Sequence, residues 1–225
     1  MGAGILPTTI HEGKLYFLFG KENKYADTPG WADFGGGTDG KETFLQTAVR
    51  EGGEELTGFL GTDAELRKML KAGTYNLDSE DGRFRIHIFP YKYNPYLPLF
   101  YNNNQRFLQK RLDPKVIKKT TIFEKGEIRW ISEDELPKMR SDFRNYFQKI
   151  VDRIVKEKEK IRHFLEKSNK KRQTRNNKNK NKNQNKNNNT KTVYINNGTG
   201  HNKTRKHRFT KKTELEEPKK EWWHI

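Results

Sequence analysis

Residues 176–189 comprise nine Asn, four Lys and one Gln, with no apolar side chain among them. Such a stretch has nothing to bury against the entropy of ordering it, so a packed core must come from the chain before it. Charge divides in the same way. From His163 onward there are 18 Lys+Arg against 5 Asp+Glu, a net +13 of the total +17, and the first 162 residues keep only +4. The sequence therefore predicts a folded domain over residues 1–150, an amphipathic helix continuing from it over 151–167, and a disordered, basic Lys/Asn-rich tail over 168–225.

The chain has no cysteine, which excludes disulfides, thiolate metal sites and cysteine nucleophiles. Its first residues lack a basic segment followed by an apolar core, and no run of 18 apolar residues occurs, so neither a secretion signal nor a membrane span is expected. The expectation is an intracellular, cytoplasmic protein with no membrane partner.

Two short apolar runs, residues 5–10 and 15–19, flank His11-Glu12-Gly13-Lys14 and predict a hairpin. Residues 43–57 predict a helix: Thr43 and Gln46 have capping-box spacing, and Leu45, Val49, Gly52 and Leu56 form one stripe. The adjacent Gly52 and Gly53 each cost such a helix about 1 kcal/mol relative to alanine, so something other than helix propensity must favour them. A short helix is expected at 64–70 and strands at 73–77 and 83–89, where Phe84, Ile86 and Ile88 alternate with polar residues. Residues 90–112 are rich in aromatics and asparagine and include Pro90, Pro95 and Pro98, which predicts a long loop. After a strand at 127–131, Ser132 and Glu135 have the spacing of a capping box. The box should open a helix carrying Phe143, Phe147, Ile150, Ile154, Ile161 and Leu165.

The chemistry concentrates between Gly36 and Gly58. Five residues separate Gly36 from Glu42 and seven separate Glu42 from Arg50; then come Glu51, Gly52, Gly53, Glu54, Glu55, Leu56, Thr57 and Gly58. On a helix Glu51, Glu54 and Glu55 share one face, where three carboxylates repel unless a cation lies among them. Hard oxygen donors of this kind suit Mg²⁺ or Mn²⁺. The run resembles the Nudix box, G-x5-E-x7-R-E-U-x-E-E-x-G-U, in which U is a bulky aliphatic residue. It departs at two places: Gly52 stands at the first U, and Thr57 stands at the closing glycine, with Gly58 one place late.

The resemblance, covering roughly residues 3–150, implies a Nudix α/β/α sandwich of the α/β class. Its mixed sheet would carry the catalytic helix on one face and a C-terminal helix on the other. It implies magnesium-dependent hydrolysis of a pyrophosphate bond in a nucleoside diphosphate linked to another moiety. Glu51, Glu54, Glu55 and the Gly35 carbonyl would be metal ligands. Gly36, Glu42 and Arg50 would orient them, Arg50 also counting with the catalytic set. A further carboxylate is expected from the loop before the late strand, Glu124 first and Glu127 second.

The expected partner is a nucleotide-type small molecule. Tyr91, Tyr93, Tyr96, Phe100, Tyr101 and Phe107 are either packing residues or a platform for a base. The basic tail would suit RNA. An RNA-directed enzyme such as an mRNA-decapping Nudix hydrolase, and a non-catalytic RNA-binding protein on a Nudix scaffold, are the alternative readings.

Overall fold

The structure, a computed structural model, describes residues 1–24, 26–120 and 124–189, with side chains left undescribed at Arg172 and from Arg175 onward. Residues 1–181 form one compact unit. Strands β1 (Gly2–His11) and β2 (Lys14–Glu22) make the expected hairpin, in register from Thr8↔Phe17 to His11↔Lys14. Glu12 and Gly13 turn it with φ of 49° and 78°, the left-handed pair that matches the strand twist.

Two short strands follow, β3 (Trp31–Ala32) and β4 (Phe34–Gly37), and then helices α1 (Phe44–Glu55) and α2 (Asp63–Lys71). Strands β5 (Tyr75–Asp78), β6 (Phe84–Pro90) and β7 (Lys125–Ser132) complete one seven-stranded sheet. Along its main path the order is β3-β2-β1-β6-β5, with β4 paired to β1 and β7 to β2. The sheet is mixed, because β6 runs parallel to β1 while β2 and β4 run antiparallel to it.

Alternation along the strands sorts the core into two layers. Ala3, Ile5 and Leu18 join Val49, Leu66 and Leu70 of α1 and α2 on one face. Leu6, Leu15, Phe17 and Phe19 join Ile150, Val151, Ile154, Ile161 and Leu165 on the other. Those last five belong to the long helix α5 (Gln148–Asn189). The expected mixed sheet with helices on both faces is therefore present.

Three local expectations are corrected. Residues 90–112 are not a loop: they hold helix α3 (Tyr96–Arg111), followed by α4 (Pro114–Lys119). The prolines permit this because Pro90 ends a strand, Pro95 caps α3, and Pro98 lies in the first turn, where backbone N–H groups have no intrahelical partner anyway. Leu97 and Tyr101 then fall one turn apart on the buried side.

At Ser132 half of the capping box forms, the Ser132 N–H donating to Glu135 Oε2 at 2.9 Å while the Glu135 N–H goes to the Ser132 carbonyl, and a series of turns follows rather than a helix. Pro137 would lack the N–H that a helix begun there needs and would clash with the preceding turn. Phe143 instead bridges Trp31.

The third difference concerns α5, which continues past the expected boundary at residue 167 to Asn189. Among its described side chains the last buried one is nevertheless Leu165, where the apolar pattern ends. Helical hydrogen bonds need no apolar face to propagate, one forming for each residue added. The remainder of the expected tail, residues 190–225, lies outside the described residues. No helix among the described residues is long and apolar enough to cross a membrane.

Candidate active site

Helix α1 is placed by its two ends and by its glycines. Thr43 caps it reciprocally with Gln46, as the spacing implied. Gly52 answers the question its helix propensity raised: a Cβ there would come within 2.5 Å of Ile5 Cδ1. The volume that a bulky aliphatic residue would fill from the helix is filled from β1 by Ile5, and α1 sits close on the sheet as a result. After the C-cap at Leu56, Thr57 (φ 48°) and Gly58 (φ 76°) both take the left-handed conformation, so the late glycine still serves the exit turn.

Arg50 and Glu42 join the glycine loop to the helix. Arg50 Nε donates to Glu42 Oε1 and its Nη2 to Glu42 Oε2, both at 3.0 Å, and Nη2 also reaches the Gly37 carbonyl at 2.9 Å. Thr47 Oγ1 and the Asp39 N–H donate to the same carboxylate. These bonds, that from Arg50 foremost, hold the Glu42 carboxyl down at about 2. Arg50 Nη1 extends the clamp to Glu51 Oε1 at 2.8 Å and Glu54 Oε2 at 3.4 Å. The Glu51 carboxylate rests on Gly36, where a Cβ would lie 2.5 Å from Oε1. Burial pushes the Glu51 carboxyl up; Arg50 opposes this, while Glu54 and Glu42 push it further. Glu54 is exposed.

The fold is the mixed α/β/α sandwich that the resemblance implied.

Gly36 of β4, Glu42 of the loop and Arg50, Glu51 and Glu54 of α1 thus form one connected unit, with Gly35 beside Gly36 in β4. No family model matches the chain, and no curated protein does. Among solved structures it is similar to the Nudix hydrolase RenU of M. smegmatis, at 18% identity over 71% of this chain and 86% of that one (TM-score 0.39). It is also similar to a C. elegans Ap4A hydrolase (16%, 61% and 84%, 0.38) and to the Nudix domain of Shewanella oneidensis NrtR complexed with ADP ribose (11%, 71% and 85%, 0.35).

Glu55 does not share the surroundings of Glu51 and Glu54. Its carboxylate turns inward, Oε1 lying 3.1 Å from Lys125 Nζ, and Oε2 is buried without a hydrogen-bond partner among the described residues. Burial first, and then Glu22 and Asp33, push its carboxyl well up against the pull of Lys125. Lys125 Nζ lies 2.5 Å from Glu22 Oε1, which also receives Arg144 Nη1 at 2.8 Å. Burial acts to lower the Lys125 ammonium, but Glu55 and Glu22 outweigh it and the net shift is upward. Asp33 is buried nearby, neither carboxylate oxygen having a hydrogen-bond partner among the described residues, and burial raises it to about 7.

Glu124 comes to this site and Glu127 does not. Glu124 lines the same cavity as Glu22, and burial first, then the charge of Glu51, raises its carboxyl. Glu127 pairs across the strands with Lys21. Lys125, Glu22, Asp33 and Arg144 were missed at the sequence level. The only available signal was the opposite charge of Glu22 and Lys125, and they are recognisable as partners only once the β2–β7 register is known.

The residues fit a divalent cation by their chemistry. Hard oxygen donors outnumber the cations here, and Glu55 keeps a buried oxygen that nothing else satisfies. Among the described residues no three carboxylate or histidine groups enclose an ion position. Mg²⁺ takes one or two carboxylates and completes its octahedron with waters and substrate phosphates.

Proposed function

We propose that the protein hydrolyses a phosphoanhydride bond in a nucleoside diphosphate linked to a second group, with Mg²⁺ taking one or two of the carboxylates of Glu51, Glu54, Glu55 and Glu124 and completing its shell with waters and substrate phosphates. The Arg50–Glu42 clamp carries this reading, since it fixes Glu51 and Glu54 beside the glycine loop before any substrate arrives. The ion would neutralise phosphate oxygens and lower the pKa of attacking water.

The chain's own residues supply the rest. Arg50 holds the carboxylates of Glu42, Glu51 and Glu54 in place, and Lys125 holds one oxygen of Glu55. A cavity of about 500 Å³ opens against Gly35, Gly36 and Gly37 and is walled by Phe84, Tyr146 and Arg144, a size and lining suited to a nucleoside. A second cavity of about 230 Å³ is lined by Glu22 and Glu124, with Lys118 and Lys119 on its wall.

The test is hydrolysis of ADP-ribose, diadenosine tetraphosphate and capped RNA followed by phosphorus NMR, with and without Mg²⁺. Metal-dependent release of a nucleoside phosphate from at least one of them is expected. Absence of hydrolysis across the panel at saturating metal overturns the proposal.

A further inference from the structure

Helix α3 has two apolar sides where a surface helix needs one. Leu97 and Tyr101 face inward. On the outer side Tyr96, Leu99, Phe100 and Phe107 recur at helical spacing and are between 48% and 62% exposed. Residues 96–119 also contain six Lys+Arg and a single acidic residue, Asp113. Among the described residues, no carboxylate pairs with Arg106, Lys110, Arg111, Lys115 or Lys119. The Arg111 guanidinium instead lies over the Phe107 ring, 5.5 Å from its centre.

Both ends of this arm are tied to the candidate active site. The Tyr101 hydroxyl donates to the Glu55 carbonyl at 2.7 Å, and Asn102 exchanges hydrogen bonds with the Ile128 backbone at 2.8 and 3.1 Å. At the other end, α4 brings Ile117, Lys118 and Lys119 to the cavity that holds Glu124. Exposed rings interleaved with cations, leading from a phosphate-cleaving centre, are the features that bind a single-stranded nucleic acid. Rings stack on bases whatever their identity, and the cations follow the phosphates.

We infer that the outer face of α3 and α4 binds single-stranded RNA or DNA, so that the second group of the substrate is an oligonucleotide whose terminal pyrophosphate reaches the carboxylates. The substrate assignment rests on the proposed hydrolase activity; the surface does not. Sixteen residues of α3 span roughly 24 Å, room for about four nucleotides. A second copy of the chain is a poorer occupant, because stacking two such faces brings like charges together.

The probe is a fluorescein-labelled twelve-nucleotide oligouridylate, titrated by anisotropy against the full chain in EDTA. Phe100→Ala with Phe107→Ala should weaken binding at least about tenfold at every salt concentration, because the stacking surface is lost. Lys110→Gln with Lys115→Gln should flatten the slope of log affinity against log salt by about 1.4. Both variants should melt like the parent and hydrolyse diadenosine tetraphosphate at its rate. Parental affinity and salt slope in both variants overturn the inference. So does parental oligonucleotide affinity in a phenylalanine variant that has lost a self-association seen by light scattering in the parent. If the parent hydrolyses nothing while the variants bind as expected, the surface stands and the hydrolase proposal fails.

Discussion

Glu55 and Lys125 form an ion pair at 3.1 Å in which the two side chains are 4% and 1% exposed. With Glu22 on the same ammonium, the pair ties the end of α1 to the junction of β2 and β7. Removing one partner from a buried pair leaves an uncompensated charge, typically at a cost of about 3–5 kcal/mol. Lys125→Met should lose stability of that order in urea unfolding. Adding Glu55→Gln should restore at least roughly 1 kcal/mol of it by neutralising the orphaned carboxylate. Strictly additive losses would show that the two side chains do not interact.

Glu54 is exposed, so neutralising it should change chemistry without touching the fold. Glu54→Gln should lower kcat by at least about two orders of magnitude at saturating Mg²⁺, the usual scale for losing transition-state charge stabilisation, with an unchanged melting temperature. A kcat within a few-fold of the parent would place the metal elsewhere.

The fit of Gly52 against Ile5 gives a paired test. Gly52→Ala improves helix propensity by about 1 kcal/mol, yet its Cβ would meet Ile5 Cδ1 at 2.5 Å, and overpacking costs about 1–3 kcal/mol. The single variant should be no more stable than the parent. With Ile5→Ala, which removes both Cδ1 and the Cγ1 that would lie at 2.9 Å, the alanine at position 52 should become the better residue. Calorimetric melting of the four proteins of the cycle decides it.

His87 makes stability depend on pH. It is buried on β6 with Nε2 unpartnered, and burial, aided by Arg85, lowers its pKa from 6.5 to about 4. The folded state therefore resists a proton that the unfolded chain accepts. Its contribution is present above pH 6.5 and is lost as pH falls towards about 4, up to about 3 kcal/mol in all. Guanidinium unfolding at pH 7 and pH 4.5 should show a smaller loss for His87→Gln than for the parent. Equal losses would assign the acid sensitivity to the carboxylates.

Much of this protein was legible in order along the chain. The hairpin, the Thr43 cap, α1, α2 and the strands β5, β6 and β7 follow from periodicity and capping, which are local. The unit of Gly36, Glu42, Arg50, Glu51 and Glu54 was also legible, because its members lie within about 20 residues and their spacing sets which faces meet. Helix α3 was hidden by its prolines, whose cost depends on their position within a turn rather than on their number. The false helix after Ser132 shows the converse, a capping signal that Pro137 cancels.

What the sequence determined by itself was the alternation that makes a two-faced sheet and the box that arms one helix. Only tertiary structure decided that Ile5 fills the space left by Gly52, that Glu55 turns inward, and that Lys125 and Glu22 hold it there. Those contacts join residues between 47 and 103 positions apart in the chain. Their energies come from burial and charge pairing, which do not exist until the sheet has closed, so no local pattern encodes them.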